Sequence, residues 1–119
     1  MFDTIKIGEK SVNLNSVAYC DIVYRQIFHE DPTKLQYSKD FDEPMLINFL
    51  ERMAFVMAMC ADKSLAELRK LNEDAFLEWL MQFGRTELLN SLGEVRRVYE
   101  EQMTTESESK KKEDQPTEE

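Results

Sequence analysis

Side chains that could carry out catalysis or bind a metal are few in this sequence, and they are scattered. The single histidine, His29, is followed by Glu30 and Asp31, a combination that also occurs in metal sites and in acid–base catalysis. A mononuclear zinc site needs three or four ligands at suitable spacing, and the sequence does not supply them. A histidine in the last turn of a helix is also stabilised by the helix dipole. We therefore predict a structural role for His29.

The remaining reactive residues also indicate structural roles and not catalysis. Cys20 and Cys60 lie among apolar neighbours and form no CxxC or other metal-type spacing, which predicts two buried, reduced thiols in a cytosolic protein. The acidic pair Glu73 and Asp74 suits the start of a helix. Nucleophile elbows, phosphate-binding loops, dinucleotide fingerprints and HExxH motifs are absent. The sequence thus predicts no enzyme, no metal site and no cofactor.

Charge narrows the range of partners. The chain of 119 residues has a formal charge of -9, and residues 1–103 hold 18 acidic and 12 basic side chains, interleaved. No basic stripe is present to neutralise phosphates, and an anionic membrane surface would repel the chain. The most apolar stretch, residues 53–61, is much shorter than the roughly 20 residues of a membrane span. We expect a soluble intracellular protein with no nucleic-acid or membrane partner.

The N-terminal segment is predicted to form a β-hairpin. Ile5 and Ile7 alternate with polar residues, as do Val12 and Leu14, and the segment 8–10 between them can turn. A hairpin of two strands is only marginally stable in water. Its apolar face is therefore expected to pack on helices.

A helix should follow the hairpin, capped by Asn15 or Ser16 and ending before Asp31 and Pro32. Its predicted inward positions are Val17, Cys20, Tyr24, Ile27 and Phe28. Residues 33–41 show no periodicity and are expected to be a connector.

Further helices are marked by their caps. Asp42 precedes a long apolar helix, Ser64 and Glu67 match a capping box, and Asn72 can cap the next helix, which Gly84 is placed to stop. The predicted inward positions of the two shorter helices are Leu65, Leu68, Leu71, Phe76, Trp79, Leu80 and Phe83.

The last helix is predicted over residues 86–103, with Gly93 inside it as the position of a kink or a close contact. Residues 104–119 contain no hydrophobic side chain and are predicted to be a disordered tail. The predicted fold is mainly α: an N-terminal β-hairpin on a compact bundle of about four to five helices in one domain, 1–103, followed by the tail 104–119.

Apolar surface is the feature most relevant to function. Four of the seven methionines lie within residues 45–59, and from Met53 onward this helix is apolar on every face. Methionine suits surfaces that adapt to a partner, although it also fills cores, and both interpretations stay open. The residues predicted to bind a partner are Phe55, Met57, Met59, Trp79 and Phe83.

Five stretches of the sequence, taken in order, carry a resemblance to a known family: 5–10 (IKIGEK), 24–28 (YRQIF), 78–83 (EWLMQF), 104–107 (TTES) and the lysine run 110–112. In this order and spacing they resemble the tail assembly chaperones of long-tailed phages and prophages of Gram-positive bacteria. Two features depart from that family. Tyr99 stands where the family often has a tryptophan, and the connector 33–41 contains no stretch that resembles the family.

The resemblance implies a protein that coats and solubilises the tape measure protein and helps to recruit the major tail protein during tail assembly. It also implies action in the host bacterial cytoplasm and absence from the mature virion. A longer form made by ribosomal frameshifting near the lysine run, or a homo-oligomer, would be a further partner. The lysine run is equally well interpreted as a solvated charged segment.

Two alternatives belong to other functional classes. An acidic mimic of DNA would regulate a nucleic-acid-binding protein, but it needs carboxylates spaced like phosphates, whereas Glu67, Arg69 and Lys70 are interleaved. A small enzyme would depend on His29. The genes beside this one would discriminate among the three, because a chaperone gene is expected next to those of a major tail protein and a tape measure protein.

Overall fold

The computed structural model describes the backbone of residues 2–114 and the side chains of residues 2–101. In this part of the chain, two strands form an antiparallel hairpin and six helices follow. The strands are β1 (Phe2–Ile7) and β2 (Lys10–Asn15), and the helices are α1 (Tyr19–Phe28), α2 (Pro32–Gln36), α3 (Glu43–Asp62), α4 (Leu65–Arg69), α5 (Glu73–Leu80) and α6 (Arg85–Asp114). The predicted mainly α class with an N-terminal hairpin is confirmed.

The hairpin forms as the alternation predicts. Ile5 pairs with Val12 across the strands, and Ile5, Ile7 and Leu14 are all buried. The two-residue turn contains Gly8 with φ 65°, a conformation that glycine adopts without strain. β2 packs on α3 and β1 packs on α6, so the apolar face of the hairpin closes one side of the core.

The start of α1 differs from the prediction. Ala18, and neither Asn15 nor Ser16, occupies the N-cap position, and it makes no side-chain cap. Asn15 is still paired with Phe2 in the hairpin, so the chain needs a tight turn before the helix can begin. The end of α1 is as expected, because His29 adopts a left-handed conformation with φ 58° and stops the helix.

The segment expected to be a connector contains a short helix, α2. Asp31 accepts hydrogen bonds from the backbone N–H groups of Thr33 and Lys34, and Pro32 stands in the first turn. These are helix-start signals that the absence of periodicity obscured. The amide of Gln36 donates to the hydroxyl of Tyr99 at 3.2 Å and so attaches α2 to α6.

α3 is the central helix, and Asp42 caps it through the N–H of Met45 as predicted. By length and composition alone it could cross a membrane, with a mean hydropathy of 1.4 over its most apolar stretch. Eight of its residues are buried by the rest of the fold, so core packing accounts for the same composition. The eight are Phe49, Leu50, Met53, Ala54, Phe55, Val56, Met57 and Ala58.

The caps of the two short helices are confirmed, but some of their inward positions are not. Ser64 and Glu67 form the full capping box, and Asn72 caps α5. Leu65 is 49% exposed, whereas Leu68 is buried as predicted. α5 ends at Leu80, earlier than Gly84 would place its end, and the chain continues as a turn.

The amide of Gln26 joins α1 to the end of α4. Its Nε2 donates to the backbone carbonyls of Leu68 at 2.9 Å and Leu71 at 3.1 Å. Carbonyls at a helix end have no partner within the helix, so this side chain supplies one.

The last helix continues further than predicted. The sequence places its end near Met103, whereas the backbone of α6 is helical to Asp114. In the sequence after Met103, acidic residues stand four positions before lysines, as at Glu106 and Lys110, and this spacing favours a helix. Residues 115–119 and the side chains of residues 102–114 lie outside the described part of the chain, so the disorder of the tail stays a prediction.

Gly93 lies in α6 without a close neighbour. A Cβ atom built there would meet nothing within 4 Å among the described residues, so of the two alternatives for this position the close contact does not form there. We expect Gly93→Ala to raise the free energy of unfolding by about 0.5–1 kcal/mol, because alanine is the better helix former. Urea denaturation followed by circular dichroism measures this change. An unchanged or lower stability would show that glycine has another role at this position.

An aromatic cluster fills the core between α1, α3 and α6. The Tyr24 ring lies 5.0 Å from that of Phe28 and 5.6 Å from that of Phe49, and Phe49 lies 5.7 Å from Tyr99. Burial raises the pKa of Tyr24 to about 12, although the nearby Arg52 opposes the shift. The neutral phenol is therefore strongly preferred in the folded protein.

This pKa shift predicts alkaline destabilisation. A raised folded-state pKa contributes stability that is fully present below pH 10 and is lost as the pH rises through about 12. The contribution is about 3 kcal/mol for a shift of this size. We expect the free energy of unfolding, measured in urea between pH 9 and 12, to fall more steeply for the native protein than for Tyr24→Phe. Parallel curves would contradict the assignment.

Candidate protein-binding cleft

Four of the five residues predicted to contact a partner lie around one cleft beside the hairpin. Phe55 and Met59 are one turn apart on α3 and therefore share a face of that helix. Trp79 lies on α5, and Phe83 lies in the turn that follows it. The structure thus brings these four side chains together from segments that are distant in the sequence.

Met57 is a correction to the prediction. Its side chain is completely buried and does not line the cleft. It stands two positions from both Phe55 and Met59, which places it on the opposite side of α3, towards the interior. Met57 is therefore inaccessible in this structure. Phe55 is also buried, at 1% exposed, and belongs to the floor of the cleft rather than to its accessible edge.

The cleft consists of two adjoining hollows, which we call the inner and outer hollows of the Trp79 cleft. The inner hollow, about 260 Å³, lies against β2, and the outer one, about 320 Å³, lies between α3 and α5. Met59, Lys63, Trp79 and Gln82 line both hollows. The two hollows therefore form one continuous surface.

Aromatic rings support the cleft from below. The Trp79 ring meets Phe55 at 5.7 Å and Phe83 at 4.9 Å between ring centroids, both edge to face. Trp79 is only 7% exposed, whereas Met59 and Phe83 are partly exposed. A partner would therefore contact a rigid aromatic floor whose accessible apolar edges are Met59 and Phe83.

Polar groups surround the inner hollow, and the sequence analysis missed them. The Lys10 ammonium lies 5.9 Å from the centroid of the Phe83 ring, and Lys63 lines both hollows. Asp62 is the acidic residue of the inner hollow, and Glu78 is that of the outer hollow. Lys10 and Lys63 carried no recognisable signal, because exposed lysines are ordinary in helical proteins and only the fold brings them together.

His29 lies elsewhere, beside a separate hollow of about 410 Å³ that also involves Asn72, Glu73 and Asp74. Its left-handed backbone conformation, which ends α1, is a sufficient structural reason for its position. Among the side chains of residues 2–101, no group of three or more histidine, cysteine, aspartate or glutamate residues is placed to hold a metal ion.

Cys20 and Cys60 are neighbours in space, which their separation in the sequence concealed. Both are free thiols, and Cys20 is buried as predicted, whereas Cys60 is partly exposed. The Cys20 Sγ donates to the backbone oxygen of Asn15 at 3.2 Å. A hydrogen bond from Cys60 lowers the pKa of Cys20, and the same interaction, together with burial, raises the pKa of Cys60. The pair joins the start of α1 to the end of α3.

The Trp79 cleft can bind and orient an apolar side chain, and the groups on its rim can form hydrogen bonds or ion pairs. It offers shape and polarity for recognition. Its dimensions suit one face of a peptide segment more than a whole folded domain. Comparison of this chain with protein-family models, with curated proteins and with solved structures finds no match.

Proposed function

We propose that this protein is a tail assembly chaperone of a long-tailed phage or prophage of a Gram-positive host. In this role it binds the hydrophobic helices of the tape measure protein, keeps them soluble in the host cytoplasm and helps to recruit the major tail protein. It then leaves before the virion is complete. The sequence resemblance over residues 5–112 suggested this role.

The observation that carries the proposal is the Trp79 cleft. Phe55, Met59, Trp79 and Phe83 were selected from the sequence as partner-binding residues, and they converge around one surface. Amphipathic helices are recognised by grooves whose apolar side chains contact the apolar face of the helix. The formal charge of -9 would keep a complex with an aggregation-prone partner in solution.

The alternative of a DNA mimic has weaker support. In the part of α6 whose side chains are described, residues 85–101, three carboxylates are paired with arginines. Arg96 contacts Glu100 at 2.9 Å, and Arg97 contacts Asp3, Glu94 and Glu101 at 3.0–3.2 Å. A surface of alternating charges is a poor imitation of a phosphate backbone.

Co-expression tests the proposed function. The tape measure protein from the same genome should be soluble with the native chain and should aggregate without it. Met59→Asp should reduce the soluble fraction several-fold, because a carboxylate replaces an accessible apolar edge of the cleft. Ile22→Asp is the matched control, since Ile22 is 46% exposed on α1 and does not line the cleft.

If the soluble fraction of the tape measure protein did not depend on this protein, the proposed function would be contradicted. Equal rescue by native and Met59→Asp proteins would keep the chaperone role and remove the cleft from it. Circular dichroism of both variants must first show native helix content, so that a loss of rescue reports binding and not unfolding.

A further inference from the structure

Lysine and amide groups on the rim of the inner hollow indicate what kind of helix fits the Trp79 cleft. Lys10 and Lys63 line this hollow, opposed by Asp62 alone, so its local charge is positive although the whole chain is acidic. Neither lysine forms an ion pair within 4 Å among the described side chains, whereas Arg52, Arg96 and Arg97 do. Hydrogen bonds from Ser64, and the charge of the nearby Lys63, lower the pKa of Glu67, so Lys63 already has an acidic neighbour. Lys10 is the less engaged of the two cations that line the hollow.

Asn13 adds a further donor to the inner hollow. Its amide oxygen already accepts a hydrogen bond from the Thr4 hydroxyl at 2.8 Å, which leaves the NH₂ group available. Gln82 lines both hollows and contributes a second amide. The rim is thus rich in hydrogen-bond donors, and carboxylates are the side chains that accept from ammonium and amide groups most strongly.

The cation–π contact fixes where such a carboxylate would lie. Lys10 is held over the Phe83 ring, next to the apolar edges of Met59 and Phe83. A ligand that fills the hollow with an apolar side chain would place a neighbouring acidic group within reach of Lys10 or Lys63. On a helix, side chains three or four positions apart have this relation.

We propose that the inner hollow of the Trp79 cleft is selective for amphipathic helices whose apolar stripe is flanked by glutamate or aspartate. Glu78 places a carboxylate on the outer hollow, so the selectivity belongs to the inner hollow. This inference deepens the proposed function and rests on it only for the identity of the natural partner. The inner hollow takes the apolar side chain, while Lys10 and Lys63 take the flanking carboxylates. Helices flanked by lysine are rejected, because they bring like charges together at the rim.

Trp79 is the single tryptophan of the chain and lies at the junction of the two hollows, so its fluorescence reports occupancy directly. The probes are three synthetic helical peptides with one leucine stripe and with glutamate, glutamine or lysine on its flanks. At low salt, we expect the glutamate peptide to bind roughly tenfold more tightly than the lysine peptide. The glutamine peptide should lie between them.

The double variant Lys10→Glu/Lys63→Glu should reverse this order. Lys34→Glu/Lys39→Glu is the matched control, because it changes the net charge equally at exposed lysines outside the cleft, and it should keep the native order. The same order in all three proteins, or no binding of any peptide, would overturn the inference. A concentration-dependent Trp79 signal without peptide, with dimerisation in ultracentrifugation, would assign the cleft to a second copy and also overturn it.

The two proposals can fail separately. Correct peptide selectivity without rescue of the tape measure protein would support the cleft chemistry and contradict the chaperone role. If the Lys10→Glu/Lys63→Glu variant rescued the tape measure protein and kept the native peptide selectivity, the chaperone role would be supported and the proposed cleft chemistry would be contradicted.

Discussion

Met57→Asp is expected to unfold the domain at neutral pH. The Met57 side chain has no exposed surface and lies on the interior side of α3. Aspartate there would either bury an unpaired charge or be protonated at a large cost in free energy. We expect a loss of at least about 4 kcal/mol, which is most of the stability of many domains. Circular dichroism and urea denaturation would show lost helix content and no cooperative transition.

Two controls identify the cause of this loss. Met57→Leu keeps an apolar side chain of similar volume and should cost less than about 1.5 kcal/mol. Met59→Asp adds the same charge two positions away, at a partly exposed site, and should keep the fold. A cooperative, nearly native Met57→Asp protein would show that this position reaches solvent, and Met57 would return to the partner-binding surface.

The contrast between Met57 and Met59 shows where sequence reasoning stops. From Met53 onward α3 is apolar on all faces, so its hydrophobic pattern has no phase that distinguishes interior from surface. Only the packing of the hairpin, α1 and α6 around α3 makes that distinction. The sequence could therefore identify α3 as the important helix but could not say which of its methionines a partner contacts.

Features determined by neighbouring residues were predictable. The caps at Asp42, Ser64 and Asn72 depend on a side chain and a backbone N–H a few positions away, and all three form. The hairpin follows from alternation around a glycine. The predicted cap of α1 was wrong because the hairpin extends to Asn15. Pairing between strands is a longer-range constraint, which local helix-capping preferences do not include.

The cleft was only partly predictable for the same reason. Its aromatic and methionine residues were selected because such residues are frequent in binding sites, and four of the five proved to be neighbours. Lys10 and Lys63 reach the cleft from a strand and from the end of a helix. Their proximity is a property of the fold, since no sequence pattern relates them.

Trp79→Ala is the second change with a large expected effect, and it should release α5 from the domain. α5 has only eight residues, too few for a stable isolated helix, and its buried residues are Phe76 and Trp79. Removal of the indole eliminates the ring contacts with Phe55 and Phe83. We expect a loss of about 3–5 kcal/mol, the usual cost of truncating a buried tryptophan.

The loss of stability should be detectable in α5 before the whole domain unfolds. Hydrogen exchange of the α5 amides should become much faster in Trp79→Ala, while the amides of α3 and the hairpin keep more of their protection. Trp79→Phe retains a ring against Phe55 and should lose less than half as much stability. If α5 kept native protection in Trp79→Ala, Phe76 and the partly buried Ala75 and Leu80 would be sufficient to hold the helix. The aromatic floor of the cleft would then be unnecessary for the fold, and a binding role would be the remaining reason for a buried tryptophan at this position.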